Sequence, residues 1–303
     1  MSTEKKKTHV EVSPLWPAEP IKSAYNLFGD SGSVEYWDFS LANTSYESRV
    51  HFISKIASVC YQSPKALGSI SLFDRLQAEA AGLPSSSYEF VPVLLSVVDV
   101  QNITDTARKL YFKDDKVPIP HLNIRKFGEY VCKTKYLLTN LRALIADVGP
   151  DESLKYLNTS PEEIQIIKDN FKVYLFNVDL ATRAQMVRHR CSWQELSRRY
   201  VSGKKTPFDF YISEKLSGIE HESCDFGKYS TEYIIQTCVA HYNYAISIGV
   251  KPEEARRILP QAMMTTIWGA FQPTQLANFF TLRLDSHAQR EIRLVAEAMK
   301  EIS

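Results

Sequence analysis

Arg188, His189 and Arg190 open the stretch "RHRCSWQELSRRY", and the 17 residues from Arg183 to Arg199 hold five arginines, one histidine and one acid, Glu195. Arginine presents a planar fork that matches phosphate or carboxylate oxygens in pairs, and it stays charged when partly buried. Two readings of the cluster stand side by side on charge alone. Arg188, Arg190 and Arg199 hold a phosphate or a negatively charged intermediate, or they pair across the surface with Glu195 and distant acids. Ser197 could donate a hydrogen bond to a substrate or act as a nucleophile beside a base; the plainer reading is a hydroxyl that stabilises a loop. Cys191 divides the same way, between a thiolate in a positive field and a bystander thiol.

A second constellation lies late in the chain, in "NFFTLRLDSHAQREIR". Arg283 and His287 are four residues apart and Arg290 is seven from Arg283, which on a continuous helix makes them neighbours on one face, with Asn278 a turn earlier. A solvated helix face explains many such patterns. Here the polar groups interrupt an aromatic segment, which favours a pocket wall. His221, Glu222 and Cys224 are metal-ligand types, but without a second spaced pair no metal site is expected.

These residues belong to a chain of 303 residues with 36 basic and 35 acidic side chains. That balance leaves no global field to draw nucleic acid or an anionic membrane, so anion recognition must be local. The N-terminal "MSTEKKKTHV" has a basic run without an apolar stretch behind it, which argues against a signal peptide. "FVPVLLSVVDV" contains a proline and is about half as long as a membrane span needs. Five scattered cysteines without CxxC pairs point to a reducing cytoplasm rather than a disulfide framework. There is no GxGxxG and no P-loop, so side chains must do any phosphate binding.

Elements that could position the two clusters follow from periodicity and capping. Residues 1–46 read as an irregular arm. Val50, Ile53, Ile56 and Ala57 mark one helix, and Ser71 to Gly82 a second. Leu122 to Gly149 reads as a single helix ending at glycine. Ser160, Pro161 and Glu163 begin another with a capping box. "KVYLFNV", Lys172 to Val178, alternates as a strand, and Asp179 caps a short helix that ends at the arginine stretch. Ser230 to Gly249 and Lys251 to Pro260 are helical. Pro273 opens what reads as one long helix with Phe280, Leu284, Ala288, Ile292, Val295 and Met299 on its apolar face. Strands are a minority, so the class is α+β or helix-rich α/β.

Taken together, the two clusters resemble the flavin-dependent thymidylate synthases. That family carries an Arg-His-Arg triplet followed by a serine in an Asn/Gln-Glu-x-Ser-x-Arg-Tyr run. A late Asn-x-x-x-x-Arg-x-Asp-x-His-Ala-Gln helix follows, with an Ala-Arg-x-x-Leu-Pro turn between them like "EEARRILP". "ASVCYQSPKALGSISLFDRLQAEAAGLPSSSYEF" is similar to its N-terminal flavin segment. The likeness covers roughly residues 50–92 and 172–300. It implies an α+β fold, helix-rich around a central sheet, in a domain over 47–303 with an insertion near 93–171. It also implies conversion of dUMP to dTMP, with methylenetetrahydrofolate as carbon donor and hydride from FADH2 reduced by NADPH. Homotetramers with active sites between subunits are implied as well. A divergent pyrimidine-modifying enzyme, or a non-catalytic nucleotide- or RNA-binding protein on the same scaffold, is the alternative.

Carried over by position, Arg188, His189, Arg190, Gln272 and Asn278 would meet FAD, as would Cys60, Ser86 and Glu89. Gln185, Arg188, Glu195, Ser197, Arg199, Arg256 and Arg283 would hold dUMP. Arg283 would stabilise charge on the uracil ring, and Ser197 would bind substrate at the reacting centre. The chain departs from the family in three places. Six residues rather than seven separate Arg190 from Ser197, Arg198 replaces a small residue, and Thr274 replaces a basic one.

Overall fold

The computed structural model describes residues 25–28, 31–61, 73–76, 84–111, 122–157, 160–223 and 227–302. At its centre is a five-stranded antiparallel sheet in the order β1-β2-β6-β10-β7. Its strands are β1 (Tyr25–Leu27), β2 (Gly32–Trp37), β6 (Lys172–Asp179), β7 (Ser192–Glu195) and β10 (Met264–Phe271). Helix α1 (Tyr46–Tyr61) follows β2 in the chain. β6 and β10 pair along their whole length, from Met264 against Asp179 to Phe271 against Lys172.

Alternation along β6 sorts the two cores. Tyr174, Phe176 and Val178 face one side and join Met186, Phe271, Phe279, Ile292, Val295 and Met299. Val173 and Leu175 face the other, with Trp268, Phe52, Ile53 and Ile56. The apolar residues of β6 therefore pack against a helix layer on either side, as a sheet covered on both faces requires. Gly269 lets the Trp193 ring of the neighbouring strand lie over the sheet, since a Cβ there would come within 2.6 Å of that ring.

A second, three-stranded sheet, β3-β5-β4, lies in the section expected to be an insertion. It comprises β3 (Pro92–Ser96), β4 (Glu129–Val131) and β5 (Tyr136–Asn140), with helices α2 (Val97–Tyr111), α3 (Leu141–Val148) and α4 (Pro161–Asn170). Its apolar residues Val93, Leu95, Leu137, Leu144 and Ile167 merge into the same core as α1, so the section is packed into the domain.

The class is α+β, as the sequence implies, and several elements form as expected. Ser160 and Glu163 make the capping box of α4. Asp179 accepts from Thr182 N and caps α5 (Leu180–Met186). Ser230 caps α6 (Thr231–Ser247), which follows a hairpin of β8 (Glu220–Ser223) and β9 (Gly227–Ser230).

Three expectations change, and a fourth falls mostly outside the described residues. Residues 25–27 and 32–37 are not irregular but supply β1 and β2; residues 1–24 lie outside the described part. The expected helix at Ser71 to Gly82 is seen only at 73–76, its remainder also lying outside. Leu122 to Gly149 is not one helix. A single turn, Asn123–Lys126, gives way to the β4-β5 hairpin and then to α3. Cys132, Lys133 and Thr134 take positive φ in the hairpin turn, which a helix cannot accommodate, and Asn140 restarts the helix by accepting from Ala143 N at 2.9 Å. The expected long final helix is two, α7 (Pro273–Arg283) and α8 (Arg290–Ile302). Asp285 breaks it, because its carboxylate takes the His287 N–H at 2.8 Å in place of the helical carbonyl. Arg283, His287 and Arg290 consequently do not share a helix face.

Candidate active site

The arginine triplet forms a tight turn immediately after α5. His189 N donates to Met186 O at 3.0 Å, and Cys191 N to His189 O at 3.0 Å, which reverses the chain into β7. Trp193 Nε1 also donates to His189 O at 3.1 Å, tying the turn to the sheet. The turn leaves Arg188 and Arg190 exposed and buries His189, 7% accessible, against the ring of Phe279.

From the other side α7 delivers Arg283 at its C-terminal end, where the helix dipole favours a cation. Arg283 Nε donates to His189 Nε2 at 2.8 Å and Nη2 to Gln185 O at 3.1 Å. Both motifs thus meet through one hydrogen bond. Burial and the neighbouring guanidinium of Arg283 hold the His189 imidazole below its ordinary pKa. A neutral ring accepts at Nε2 and carries its proton on Nδ1. Burial, with Arg188 nearby, also draws Arg283 downward, yet guanidinium basicity leaves it charged at neutral pH.

An open cavity of about 430 Å³ lies between turn and helix, lined by Arg188, His189, Arg190, Thr274, Gln275, Asn278, Leu282 and Arg283. Its volume suits a ligand of cofactor size. Among the described residues no acid pairs with Arg188, Arg190 or Arg283 within 4 Å. Three cations without carboxylate partners around one cavity fit a phosphate-bearing group, because each retains donors for oxygens that the protein does not supply.

The remaining predicted residues sit elsewhere. Glu195 ends β7 with its carboxylate held by Arg183, through Nε at 2.8 Å and through Nη2, and by Thr265 Oγ1 at 3.1 Å. Cys60 and Ser86 belong to one network on the α1 side: Gln194 Nε2 donates to Cys60 Sγ at 2.8 Å, and Ser86 Oγ donates to Gln194 Oε1 at 2.7 Å. Burial raises the Cys60 thiol and raises the Cys191 thiol further, so neither is a thiolate at neutral pH. Ser197 is half-buried, its N–H donated to Cys60 O at 3.2 Å. Glu89 is paired with Arg142 at 2.5 Å. Arg199 and Arg256 approach the same residue, Arg199 reaching the Glu253 carboxylate at 3.9 Å and Arg256 Nε its carbonyl at 3.3 Å. Gln272 is buried, its Nε2 donated to Phe127 O at 2.9 Å and Leu138 O at 3.3 Å. Gln185 bonds Gln289 at 2.6 Å.

Within one chain, then, Arg188, His189, Arg190, Asn278 and Arg283 converge on the cavity, with Gln185 adjoining through its carbonyl. Sequence reasoning passed over Arg183, Gln194, Thr274 as a wall residue, and Glu129. Arg183 was visible only as one of the clustered arginines, and the other three carry no spacing signal, since their partners are more than 70 residues away.

Residues 160–303 match the family model Thy1, thymidylate synthase complementing protein. Among curated proteins, the chain is similar to the flavin-dependent thymidylate synthase of Aquifex aeolicus, 34% identical over 146 residues, 44% of this chain and 45% of that protein. The one from Pyrococcus furiosus is 34% identical over 134 residues, 42% and 53% respectively. The one from Kosmotoga olearia is 30% identical over 156 residues, 47% and 64%. The aligned part spans about half the length of the first of these relatives. Every residue lining the arginine cavity falls inside the segment that matches the Thy1 family model.

Proposed function

We propose that the protein converts dUMP to dTMP, using methylenetetrahydrofolate as carbon donor and FAD, reduced by NADPH, as hydride source. The observation that carries this reading is the Arg283 to His189 hydrogen bond, which joins two distant motifs at a cavity whose cations lack carboxylate partners. When bound, reduced flavin supplies the hydride of the reaction. The protein's own part is electrostatic and positional. Arg188 and Arg190 would hold the phosphate oxygens of the cofactor, and Asn278 would offer amide donors and an acceptor on the same wall. His189 holds Arg283 by its Nε and the Gln185 carbonyl holds it by Nη2, leaving the rest of that guanidinium to face negative charge that builds on the uracil ring.

Ser197, Arg199, Arg256 and Glu195 would bind dUMP, with Cys60, Ser86, Glu89 and Gln272 nearer the flavin. Their placement away from the cavity supports sites completed between copies of the chain, in a homotetramer. Tyr233, Ile234, Tyr244 and Ile248, all at least half exposed on or next to α6, supply an apolar face suited to such contacts. Among the described residues no helix is long and apolar enough to cross a membrane, and we place the enzyme in the cytoplasm.

The test is spectroscopic and then chemical. The purified protein is expected to be yellow, to bleach with NADPH and to release the C5 hydrogen of dUMP when methylenetetrahydrofolate is added. A folded, flavin-loaded sample that shows neither bleaching nor hydrogen release overturns the proposal.

A further inference from the structure

The wall of the cavity opposite Arg188 and Arg190 is the first turn of α7. A helix N-terminus is ordinarily a place where a ligand anion can bind, because its first N–H groups have no partner within the helix. Pro273 has no N–H, so Thr274 supplies the first helical one. It is already taken. Thr274 N lies 3.1 and 3.0 Å from the two carboxylate oxygens of Glu129, and Thr274 Oγ1 donates to the same group at 2.5 Å. Glu129 stands on β4, in the additional sheet and outside the segment that matches the family model. The same sheet fixes the preceding residue, since the Gln272 amide is spent on Phe127 O and Leu138 O. Among the described residues no basic side chain forms an ion pair with Glu129.

We propose that Glu129 is a specificity-determining residue of the arginine cavity: its carboxylate fills the anion position at the start of α7 and keeps a ligand's phosphate at the Arg188, Arg190 and Arg283 end. The cavity then has a cationic end and a blocked end. A ligand carrying its anionic group at one extremity is oriented by that polarity. A second phosphate reaching toward Thr274 must displace Glu129 or endure its charge. The additional sheet thereby restricts which phosphate esters the cavity accepts and in which direction they lie.

This inference rests on the cavity being the phosphate site of the proposed function, and binding measurements separate the two. FAD and inorganic pyrophosphate are titrated into the full-length flavin-free protein and into the E129Q and E129A variants, followed by flavin fluorescence and by calorimetry. E129Q keeps the shape and an acceptor for Thr274 while removing the charge. Both ligands are expected to bind E129Q about fivefold more tightly, the scale of one partly screened charge at a helix terminus, with E129A showing at least as large a gain. If the wild-type protein binds them and both variants stay within about twofold of it, or bind more weakly, the role of Glu129 is overturned while the phosphate site stands. If neither ligand binds any of the three proteins, the phosphate site and the role of Glu129 fall together.

Discussion

At the Arg188–Arg190 end of the motif, guanidinium groups face a cavity, and Arg283 is held by neutral acceptors, an imidazole nitrogen and a backbone carbonyl. At the other end the same residue type is occupied by the protein itself. Arg183 is paired with Glu195, Arg199 approaches Glu253, and Arg198 is buried with Nη1 donating to Thr206 O at 2.8 Å, Nη2 to Pro207 O at 3.4 Å, and its plane over the ring of Phe208. The difference lies in the acceptors. A carboxylate neutralises an arginine, whereas a carbonyl or a neutral histidine positions it and leaves its charge in place. Sequence charge density cannot distinguish the two ends; the chemistry of the partner does.

Removing Arg283 should expose that contrast most strongly. Under the proposed chemistry Arg283→Ala is expected to lower kcat/KM for dUMP by about 10²- to 10³-fold, the range for loss of one positioned charge donor at a reacting centre. The melting temperature should change little, because the lost hydrogen bonds lie at a half-exposed helix end. Steady-state kinetics with a thermal melt on the same sample tests the assignment. A large fall in stability alongside normal turnover would place Arg283 with the structural arginines instead.

Arg198 should show the reverse pattern. Truncation removes both hydrogen bonds of a buried guanidinium and its stacking on Phe208, so Arg198→Ala is expected to destabilise the fold by about 1–3 kcal/mol in urea denaturation. Arg198→Lys should recover only part of this, because an ammonium cannot donate to both carbonyls in a planar fork. Arg198 thus anchors residues 206–208 through its guanidinium. An unchanged denaturation midpoint in Arg198→Ala would remove the distinction between the two ends.

Much of this arrangement was legible from the amino acids, and what was missed has a common cause. Caps and alternation are local, so α4, β6, α5 and α6 follow from Ser160, Asp179, Ser230 and the pattern of "KVYLFNV". β10 is covered on both faces and reads as a nearly continuous buried run, which gives no alternation to detect. The β4-β5 hairpin turns on positive φ at Cys132, Lys133 and Thr134, residue types that give little warning of it. The break after Arg283 depends on an Asp285 side chain competing for a backbone N–H. At the site, the order of two motifs sufficed to bring Arg188, His189, Arg190, Asn278 and Arg283 together. The partners that divide the arginines into two classes are contacts across the sheet, and no spacing rule reports them.

The smallest expected effect concerns what holds Arg283 in place. His189 lies below its ordinary pKa in the folded protein, through burial first and Arg283 second, whereas in the unfolded chain it titrates near about 6.5. Just below that pH the unfolded chain therefore binds more protons than the folded one, and stability must fall as pH falls. The contribution is complete above about 6.5 and declines from there toward the lower folded value. Protonation also replaces the Nε2 acceptor by a donor, which ends the bond from Arg283 and adds a fourth positive charge to the three arginines of the cavity. In His189→Asn the amide oxygen can accept from Arg283 without titrating. Its melting temperature is expected to decline less steeply than the wild type's on going from pH 7 to pH 5, by a difference worth about 1 kcal/mol or less. Parallel profiles for the two proteins would mean that His189 does not hold Arg283 through a neutral ring, and the acceptor chemistry that separates the two ends of the motif would need another source.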